Sequence, residues 1–179
     1  MKARHDLAVI GAGPAGMAAA TLAAELGIDT LVLDEQETPG GQIYRSVEQP
    51  SLADLAPLGP DYRRGIELAL AFRRSSAELA GGAVVWQIRP DRTINLTRAG
   101  DGMEVGADHV LIATGAMERP FPIPGWTLPG VMTAGAAQTL MKSAGLVAED
   151  GVVLAGCGPL LFQLASQYLQ AGVRPGAIV

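Results

Sequence analysis

Short runs of consecutive apolar residues alternate with Ala-rich and polar stretches at the front of the chain. Residues 7–10 form one such run and predict a buried strand. The Ala-rich residues 17–26, followed by Gly27, predict a helix that ends at a glycine. The next apolar run, within residues 29–35, predicts a second strand. Two buried strands joined by a helix indicate a parallel βαβ unit of about 30 residues.

The middle of the chain predicts a loop, a helix and three strands. Ile66, Leu70 and Leu79 recur at helical spacing, and Pro, Gly and Asp residues separate the later apolar segments. The predicted elements are an irregular loop over 36–60, a helix over 63–79, and strands over 83–88, 92–99 and 103–115. Because short turns join the three strands, we expect a small antiparallel β-meander.

A proline-rich connection and one further helix follow. Repeated prolines over residues 119–130 predict an extended, stiff segment. Thr133 is predicted to cap a helix that runs to Ser143, with Gly145 just beyond its end.

The glycine-rich pattern of the front returns at the end of the chain. Gly11, Gly13, Pro14 and Gly27 correspond at constant spacing to Gly156, Gly158, Pro159 and Gly172. The second copy carries Leu161 where the first has Gly16, and a bulky side chain there is expected to hold the helix further from the sheet. Gly156 and Gly158 are either structural or ligand-binding, and the leucine favours the structural role.

These patterns predict an α/β protein with a doubly wound, Rossmann-like domain, the β-meander, and the start of a second nucleotide-binding domain. The predicted Rossmann-like domain covers residues 1–117. The proline-rich connection and its helix cover residues 118–147, and the first part of the second nucleotide-binding domain covers residues 148–179.

Composition and charge exclude several functions. The net charge of −5 and the lack of a basic run argue against nucleic acid or a membrane surface as a partner. The single cysteine, Cys157, allows neither a disulfide framework nor a Cys-x-x-Cys redox pair in this sequence. His5 and His109 stand apart, without metal-ligand spacing, so no metal site is predicted. Residues 1–5 are too short and polar for a signal peptide, and we expect a soluble cytoplasmic protein.

The first glycine-rich turn has the spacing of a dinucleotide-binding fingerprint. Gly11 permits the tight turn, Gly13 lets a pyrophosphate approach the backbone, and Gly16 lets the helix pack close to the sheet. Asp34 ends the second strand, where a carboxylate accepts hydrogen bonds from a ribose diol and repels the 2′-phosphate of NADP. The neighbouring Glu35 either faces the same ribose or is solvated. The alternative is that the glycines only shape a βα turn.

Two later stretches bear on which dinucleotide would bind. In "LDEQETPGGQIYR", Gly40 and Gly41 let backbone approach a flat ligand, and Gln42 offers an amide beside them. In "HVLIATGAMERPFPIPG", residues 113–115 are small and end an apolar strand, which leaves room for a cofactor at the sheet edge. Simple NAD dehydrogenases require neither stretch.

With these stretches the sequence resembles the FAD-dependent pyridine nucleotide–disulfide oxidoreductases, the family that includes thioredoxin reductase. Within it, "DEQETPGGQIYR" and "GAMERPFPIPGWTLPGVMTAGAAQTLMKSAG" look most like one subunit of amine and amino-acid dehydrogenase complexes. These are the A or alpha subunits of opine oxidase, hydroxyproline or proline dehydrogenase and sarcosine oxidase, and the corresponding hydrogen cyanide synthase subunit.

The resemblance implies FAD as the cofactor and assigns residues to each part of it. The pyrophosphate would lie at Gly11, Gly13, Pro14, Ala15 and Gly16, the adenosine ribose at Asp34 and Glu35, the flavin near Gly40, Gly41, Gln42 and Arg45, the adenine at the backbone of Gln87 and Ile88, and the cofactor edge at Ala113, Thr114 and Gly115. No catalytic side chain is assigned. NAD(P) would bind only in a longer relative.

The resemblance also implies partners and a longer architecture. We expect an electron-transferring FAD subunit whose partner subunit oxidises an amino acid or amine, or a homo-oligomer. A returning segment that completes the FAD domain in the family is expected to be missing from this sequence. Other hypotheses are a truncated, non-catalytic nucleotide-binding or assembly subunit, and an NAD-dependent Rossmann enzyme.

Overall fold

The computed structural model describes residues 2–48 and 58–179. They belong to two compact units, one drawn from residues 2–48 and 62–115 and the other from residues 58–61 and 116–179. Part of the predicted loop over 36–60 lies outside the described residues. The predicted division after residue 117 stays a prediction.

The first unit opens with the predicted βαβ arrangement: strand β1 at Arg4–Ile10, helix α1 at Pro14–Glu25 and strand β2 at Thr30–Leu33. The strands pair in parallel, with Leu7 opposite Thr30 and Ile10 opposite Leu33. Every residue of β2 is buried. α1 buries Gly16, Met17, Ala20, Ala23 and Ala24, a face on which every residue except Met17 is small.

The predicted helix over 63–79 is wrong at its end. Helix α2 covers Gly59–Arg74, and Glu78–Ala80 form strand β3, parallel to β2, with Leu79 opposite Val32. Ser75 ends the helix, because its Oγ donates to the carbonyl of Phe72 and accepts from the amide of Ala77 at 3.3 Å. Leu79 is therefore part of the sheet and not of the apolar face of the helix.

The predicted meander consists of strands β4 at Ala83–Ile88, β5 at Thr93–Arg98 and β6 at Asp101–Ile112. The six strands form one sheet in the order β3-β2-β1-β6-β5-β4. The first half of β6 pairs antiparallel with β5 and its second half pairs parallel with β1, up to Ile112 opposite Ile10. The predicted α/β class with an antiparallel meander is confirmed.

The core of the sheet is built from alternating apolar residues of neighbouring strands. Its fully buried members include Ala8, Leu31, Ile94, Leu96 and Ala107. Because β1, β2 and β6 are joined in parallel, their carboxyl ends meet at one edge of the sheet. Ile10, Leu33 and Ile112 mark this edge.

The second unit contains helix α3 at Ala134–Ala144, strand β7 at Val153–Leu154, helix α4 at Pro159–Gln170 and strand β8 at Ala177–Ile178. The Thr133 side chain accepts from the amide of Ala136, and Gly145 ends α3 in the left-handed region, as predicted. β7 and β8 pair in parallel around α4. Among the described residues no helix has the length and hydropathy needed to cross a membrane.

Candidate nucleotide-binding site

The turn between β1 and α1 lies at the carboxyl edge of the sheet. Gly11 has a φ of +103°, a conformation that favours glycine, and its amide donates to the carbonyl of Leu33 at 2.8 Å. A Cβ on Gly11 would lie 2.5 Å from the carbonyl oxygen of Ala113. The turn therefore packs against the end of β6, one of the stretches expected to line the cofactor.

The other two fingerprint glycines differ in their surroundings. A Cβ on Gly16 would overlap the carbonyl oxygen of Gly11, so this glycine allows α1 to approach β1. A Cβ on Gly13 would meet only the Cα of Gly41, at 3.9 Å. Gly13 is the N-cap of α1, with Pro14 as the first helical residue and no side chain capping the amides. The helix therefore presents uncapped N–H groups beside a small, open position.

Asp34 follows β2 at the same edge and is joined to the turn. Its Oδ2 accepts from the amide of Ala12 at 2.5 Å, and its Oδ1 accepts from the amide of Gln36 at 2.7 Å. Glu35 is exposed, and its Oε1 lies 3.4 Å from the side-chain amide of Gln36. The structure thus places Asp34 at the glycine turn and Glu35 outward.

The Gly40–Gly41 pair folds back over the turn. The amide of Gly40 donates to the carbonyl of Ala12 at 2.8 Å. A Cβ on Gly41 would lie 2.9 Å from the Cα of Gly13, and both residues of the pair have positive φ. Two stretches separated by more than 25 residues therefore approach with backbone alone.

Residues 113–115 complete the cluster from the end of β6. The amide of Ala113 donates to the carbonyl of Ile10 at 2.8 Å, and Thr114 and Gly115 are exposed. Gly115 has a φ of +72°, with open space around the position of a Cβ. The chain therefore leaves the sheet edge without covering it with a side chain at Gly115.

Sequence reasoning missed the residues that support the loop after Gly41. Tyr44 packs edge-on against Tyr62 of α2, with ring centroids 6.2 Å apart. A Cβ on Gly65 of α2 would overlap the Tyr44 ring, and the Tyr62 hydroxyl donates to the carbonyl of Arg45. The aromatic Tyr44 close behind Gly40–Gly41 was the only signal in the sequence, and its helical partners become visible only once α2 is packed.

Gly65→Ala is expected to destabilise the protein by roughly 1–3 kcal/mol, because the new methyl group must push aside the root of the Tyr44 ring. Chemical denaturation measures this loss. Removing the ring in Tyr44→Leu should make the second change less costly, so the double variant should show favourable coupling. Strictly additive losses would contradict the packing described for Gly65 and Tyr44.

Tyr62 makes stability depend on alkaline pH. Burial raises the pKa of its hydroxyl above the ordinary value of 10.0, so the folded state favours the neutral form. The hydroxyl makes its full contribution to the free energy of unfolding at pH values below its pKa in the unfolded state. This contribution is lost as the pH rises through its pKa in the folded state. Tyr62→Phe should lower the free energy of unfolding by roughly 1 kcal/mol at about pH 8. The difference in unfolding free energy between wild type and variant should become smaller above about pH 10. Urea unfolding at both pH values tests this, and a constant gap contradicts it.

Four predicted site residues are placed less directly. Gln42 is exposed, whereas Arg45 is half-buried and its Nε is a buried donor with no partner among the described residues. Gln87 accepts from the Asn95 side chain at 2.7 Å, and both Gln87 and Ile88 are exposed on β4.

Described backbone hydrogen bonds reach Asp34 from the start of β4 rather than from its end. The amide of Ala83 donates to the carbonyl of Asp34 at 2.8 Å. Gln87 lies four residues further along the strand, a distance of roughly 13 Å. The structure therefore does not bring Gln87 and Ile88 into the cluster around Asp34, and Gly82 and Ala83, which sequence reasoning did not select, lie closer.

The second glycine turn has a different environment. Gly156 and Gly158 have φ values of +144° and +101°, and a Cβ on either would meet nothing within 4 Å. Leu161 is only 8% exposed in α4. The amide of Gly156 donates to the carbonyl of Val179 at 2.8 Å, and the predicted structural role of this turn stays a prediction.

The residues of the first turn fit a dinucleotide. Gly13 leaves room beside the start of α1, whose amides carry no side-chain cap, and Gly41 lets the following loop approach this turn with backbone alone. A pyrophosphate needs such close backbone approach and such donors. The described residues contain no cluster of three or more His, Cys, Asp or Glu that could hold a metal ion.

Comparisons with known proteins agree with this fit. Residues 5–176 match the family model described as pyridine nucleotide-disulphide oxidoreductase. The chain is 52% identical to an opine oxidase subunit from Agrobacterium tumefaciens (strain Ach5), and the alignment covers 94% of this chain and 35% of that relative. It is 38% identical to the hydrogen cyanide synthase subunit HcnB of Pseudomonas aeruginosa, with coverage of 95% and 37%. It spans about a third of these curated relatives.

A solved structure shows the same fold. The crystal structure of L-proline dehydrogenase from P. horikoshii superimposes with a TM-score of 0.79 at 19% sequence identity. The match covers 98% of this chain and 35% of that one.

Proposed function

Because the chain belongs to the pyridine nucleotide-disulphide oxidoreductase family, we propose that its first glycine-rich turn binds FAD for electron transfer in an amino-acid or amine dehydrogenase complex. The observation that carries the proposal is the convergence of four separate stretches on one sheet edge. These are residues 11–16, Asp34, Gly40–Gly41 and residues 113–115. Backbone approaches backbone where Gly11 meets Ala113 and where Gly41 meets Gly13, and such close approach suits a flat, phosphate-bearing ligand.

Each stretch has a distinct task in this proposal. The uncapped amides at the start of α1 and the open position at Gly13 hold the pyrophosphate. The Asp34 carboxylate accepts hydrogen bonds from the adenosine ribose hydroxyls. It uses the oxygen lone pairs that its two backbone donors, the amides of Ala12 and Gln36, leave free. Gly40, Gly41 and Arg45 lie toward the flavin, which supplies two-electron redox chemistry when bound.

The relatives support a role inside a larger complex. Two of them are named as subunits, one of opine oxidase and one of hydrogen cyanide synthase. We propose that a partner subunit oxidises the carbon–nitrogen bond of an amino acid or amine and that this chain relays the electrons. Thiol–disulfide exchange within this sequence is excluded, because Cys157 is its single cysteine.

Titration of the purified chain with FAD, NAD and NADP tests the proposal. The expected result is tight uptake of FAD, with flavin absorption bands that persist through gel filtration, and weaker binding of both nicotinamide dinucleotides by calorimetry. Failure to take up FAD overturns it. Tighter binding of NAD than of FAD would instead favour an NAD-dependent Rossmann enzyme.

A second experiment separates an electron-transferring subunit from a non-catalytic one. The FAD-loaded chain is mixed anaerobically with NADH, or with an amino acid and a partner subunit of the opine oxidase type, and flavin bleaching is followed. Bleaching supports electron transfer. Bound FAD that no donor reduces would point to an assembly or nucleotide-binding role.

A further inference from the structure

Asp34 is bound more extensively to the protein than a ribose-reading carboxylate requires. Its side chain accepts hydrogen bonds from two backbone amides, that of Ala12 at 2.5 Å and that of Gln36 at 2.7 Å. Its own amide donates to the carbonyl of Ala80 at 3.3 Å, and its carbonyl accepts from Ala83 at 2.8 Å. Asp34 thus fixes the glycine turn, its own loop and the strands beyond it.

The peptide groups of Ala12 extend this connection across the turn. The amide of Ala12 donates to the Asp34 carboxylate, and the carbonyl of Ala12 accepts from the amide of Gly40 at 2.8 Å. Gly41, the next residue, approaches Gly13 closely enough that a Cβ on Gly41 would lie 2.9 Å from the Cα of Gly13. A continuous chain of contacts therefore runs from the Asp34 carboxylate through Ala12 to Gly40, and Gly41 then packs on Gly13.

The charge of Asp34 makes this arrangement informative. A carboxylate near a pyrophosphate is repelled by it, unless local donors compensate the charge and fix its distance. Two backbone amides do so here, and one of them belongs to Ala12 in the glycine turn itself. Hydrogen bonds to a charged acceptor are stronger than neutral ones, so the carboxylate is well suited to hold a turn of glycines.

We propose that Asp34 is a positioning residue that clamps the glycine turn through Ala12 before any cofactor binds, in addition to facing the ribose. The clamp itself rests only on the protein's own hydrogen bonds. Its effect on FAD affinity rests on the proposed function.

The clamp predicts a loss of stability in the cofactor-free protein. Asp34→Asn keeps the size of the side chain but offers one acceptor oxygen instead of two, so either the Ala12 or the Gln36 amide faces an N–H₂ group. The melting temperature of the cofactor-free chain should fall by roughly 3–8 °C. Glu67→Gln removes the same charge at an exposed position of α2, outside the glycine turn, and should leave melting unchanged.

A ligand comparison separates the clamp from ribose recognition. The probes are FAD and an FAD analogue whose adenosine lacks the 2′- and 3′-hydroxyls. If Asp34 acts only through the ribose, Asp34→Asn weakens FAD binding and leaves binding of the analogue unchanged. If it clamps the turn, the substitution weakens binding of the analogue as well, by roughly tenfold.

The outcomes distinguish the two proposals. Loss of melting temperature together with weaker binding of the analogue supports the clamp. Wild-type melting of Asp34→Asn with unchanged binding of the analogue overturns it. If wild type binds neither probe, the proposed function fails, and melting alone then decides the clamp: a lowered temperature supports it and an unchanged one overturns it.

Discussion

Gly16→Ala is expected to lower the melting temperature of the protein by roughly 10 °C, corresponding to about 3 kcal/mol of unfolding free energy. A Cβ at this position would overlap the carbonyl oxygen of Gly11 and lie 3.0 Å from its carbonyl carbon. Both are backbone atoms of the turn, so neither moves aside as the end of a flexible side chain would. The methyl group therefore forces α1 away from β1, and the buried face around Met17 loses its packing.

Gly102→Ala is the matched control. Gly102 lies in β6 without a positive φ, and a Cβ there would meet nothing within 4 Å. This variant should melt at or slightly above the wild-type temperature, since alanine restricts the unfolded chain more than glycine does. Thermal denaturation followed by circular dichroism measures both, and equal melting of Gly16→Ala and Gly102→Ala would contradict the close helix–strand approach.

The second unit shows that a βα turn does not by itself require the third glycine. Leu161 occupies the matching position in α4 and is buried, and a Cβ at Gly156 or Gly158 meets nothing within 4 Å. At the first turn, Gly11 packs on Ala113 and Gly41 packs on Gly13. The demand for Gly16 therefore comes from a crowded turn, and crowding distinguishes the proposed cofactor site from its copy.

Elements with strong local signals could be predicted from the sequence. β1, α1 and β2, the three meander strands, and the helix from the Thr133 cap to Gly145 all have apolar periodicity bounded by caps or turn residues. β3 was missed because three residues carry no period of their own. It exists through pairing with β2, and Leu79 also fitted the spacing of the preceding helix.

The candidate site was predictable where backbone space is the requirement. Glycines at 11, 13, 16, 40 and 41 indicate close approach, and the structure brings these stretches together. The family resemblance carried by "GGQIYR" and the stretch after Gly115 is confirmed, and the family model that matches is described as one of oxidoreductases.

Positions that depend on tertiary register were beyond sequence reasoning. β4 carries an irregularity between Val85 and Gln87, which shifts its pairing with β5 and cannot be read from alternation alone. The proposed adenine contacts at Gln87 and Ile88 depend on that register. The support of Tyr44 by Gly65 likewise requires the docking of α2, since the two residues are separated by 20 positions of which nine lie outside the described residues.

Gly13→Ala is expected to weaken FAD binding by roughly 10–100-fold while the fold remains intact. Gly13 has φ and ψ of −70° and −178°, which alanine adopts without strain, and its Cβ would meet only the Cα of Gly41, at 3.9 Å. The protein therefore has room for the methyl group. A pyrophosphate would approach the amides of α1 through the same space. The added methyl group therefore blocks the ligand but does not disturb the packing of the protein.

The contrast with Gly16→Ala makes this prediction specific to binding. The cofactor-free melting temperature of Gly13→Ala should stay within about 2 °C of wild type, in keeping with a residue that lacks close neighbours. FAD affinity is measured by quenching of flavin fluorescence, with Gly102→Ala as the control for a methyl group added away from the turn. If Gly13→Ala binds FAD as tightly as wild type, the pyrophosphate does not lie over this glycine. A large loss of melting temperature would instead assign Gly13 to the same packing role as Gly16.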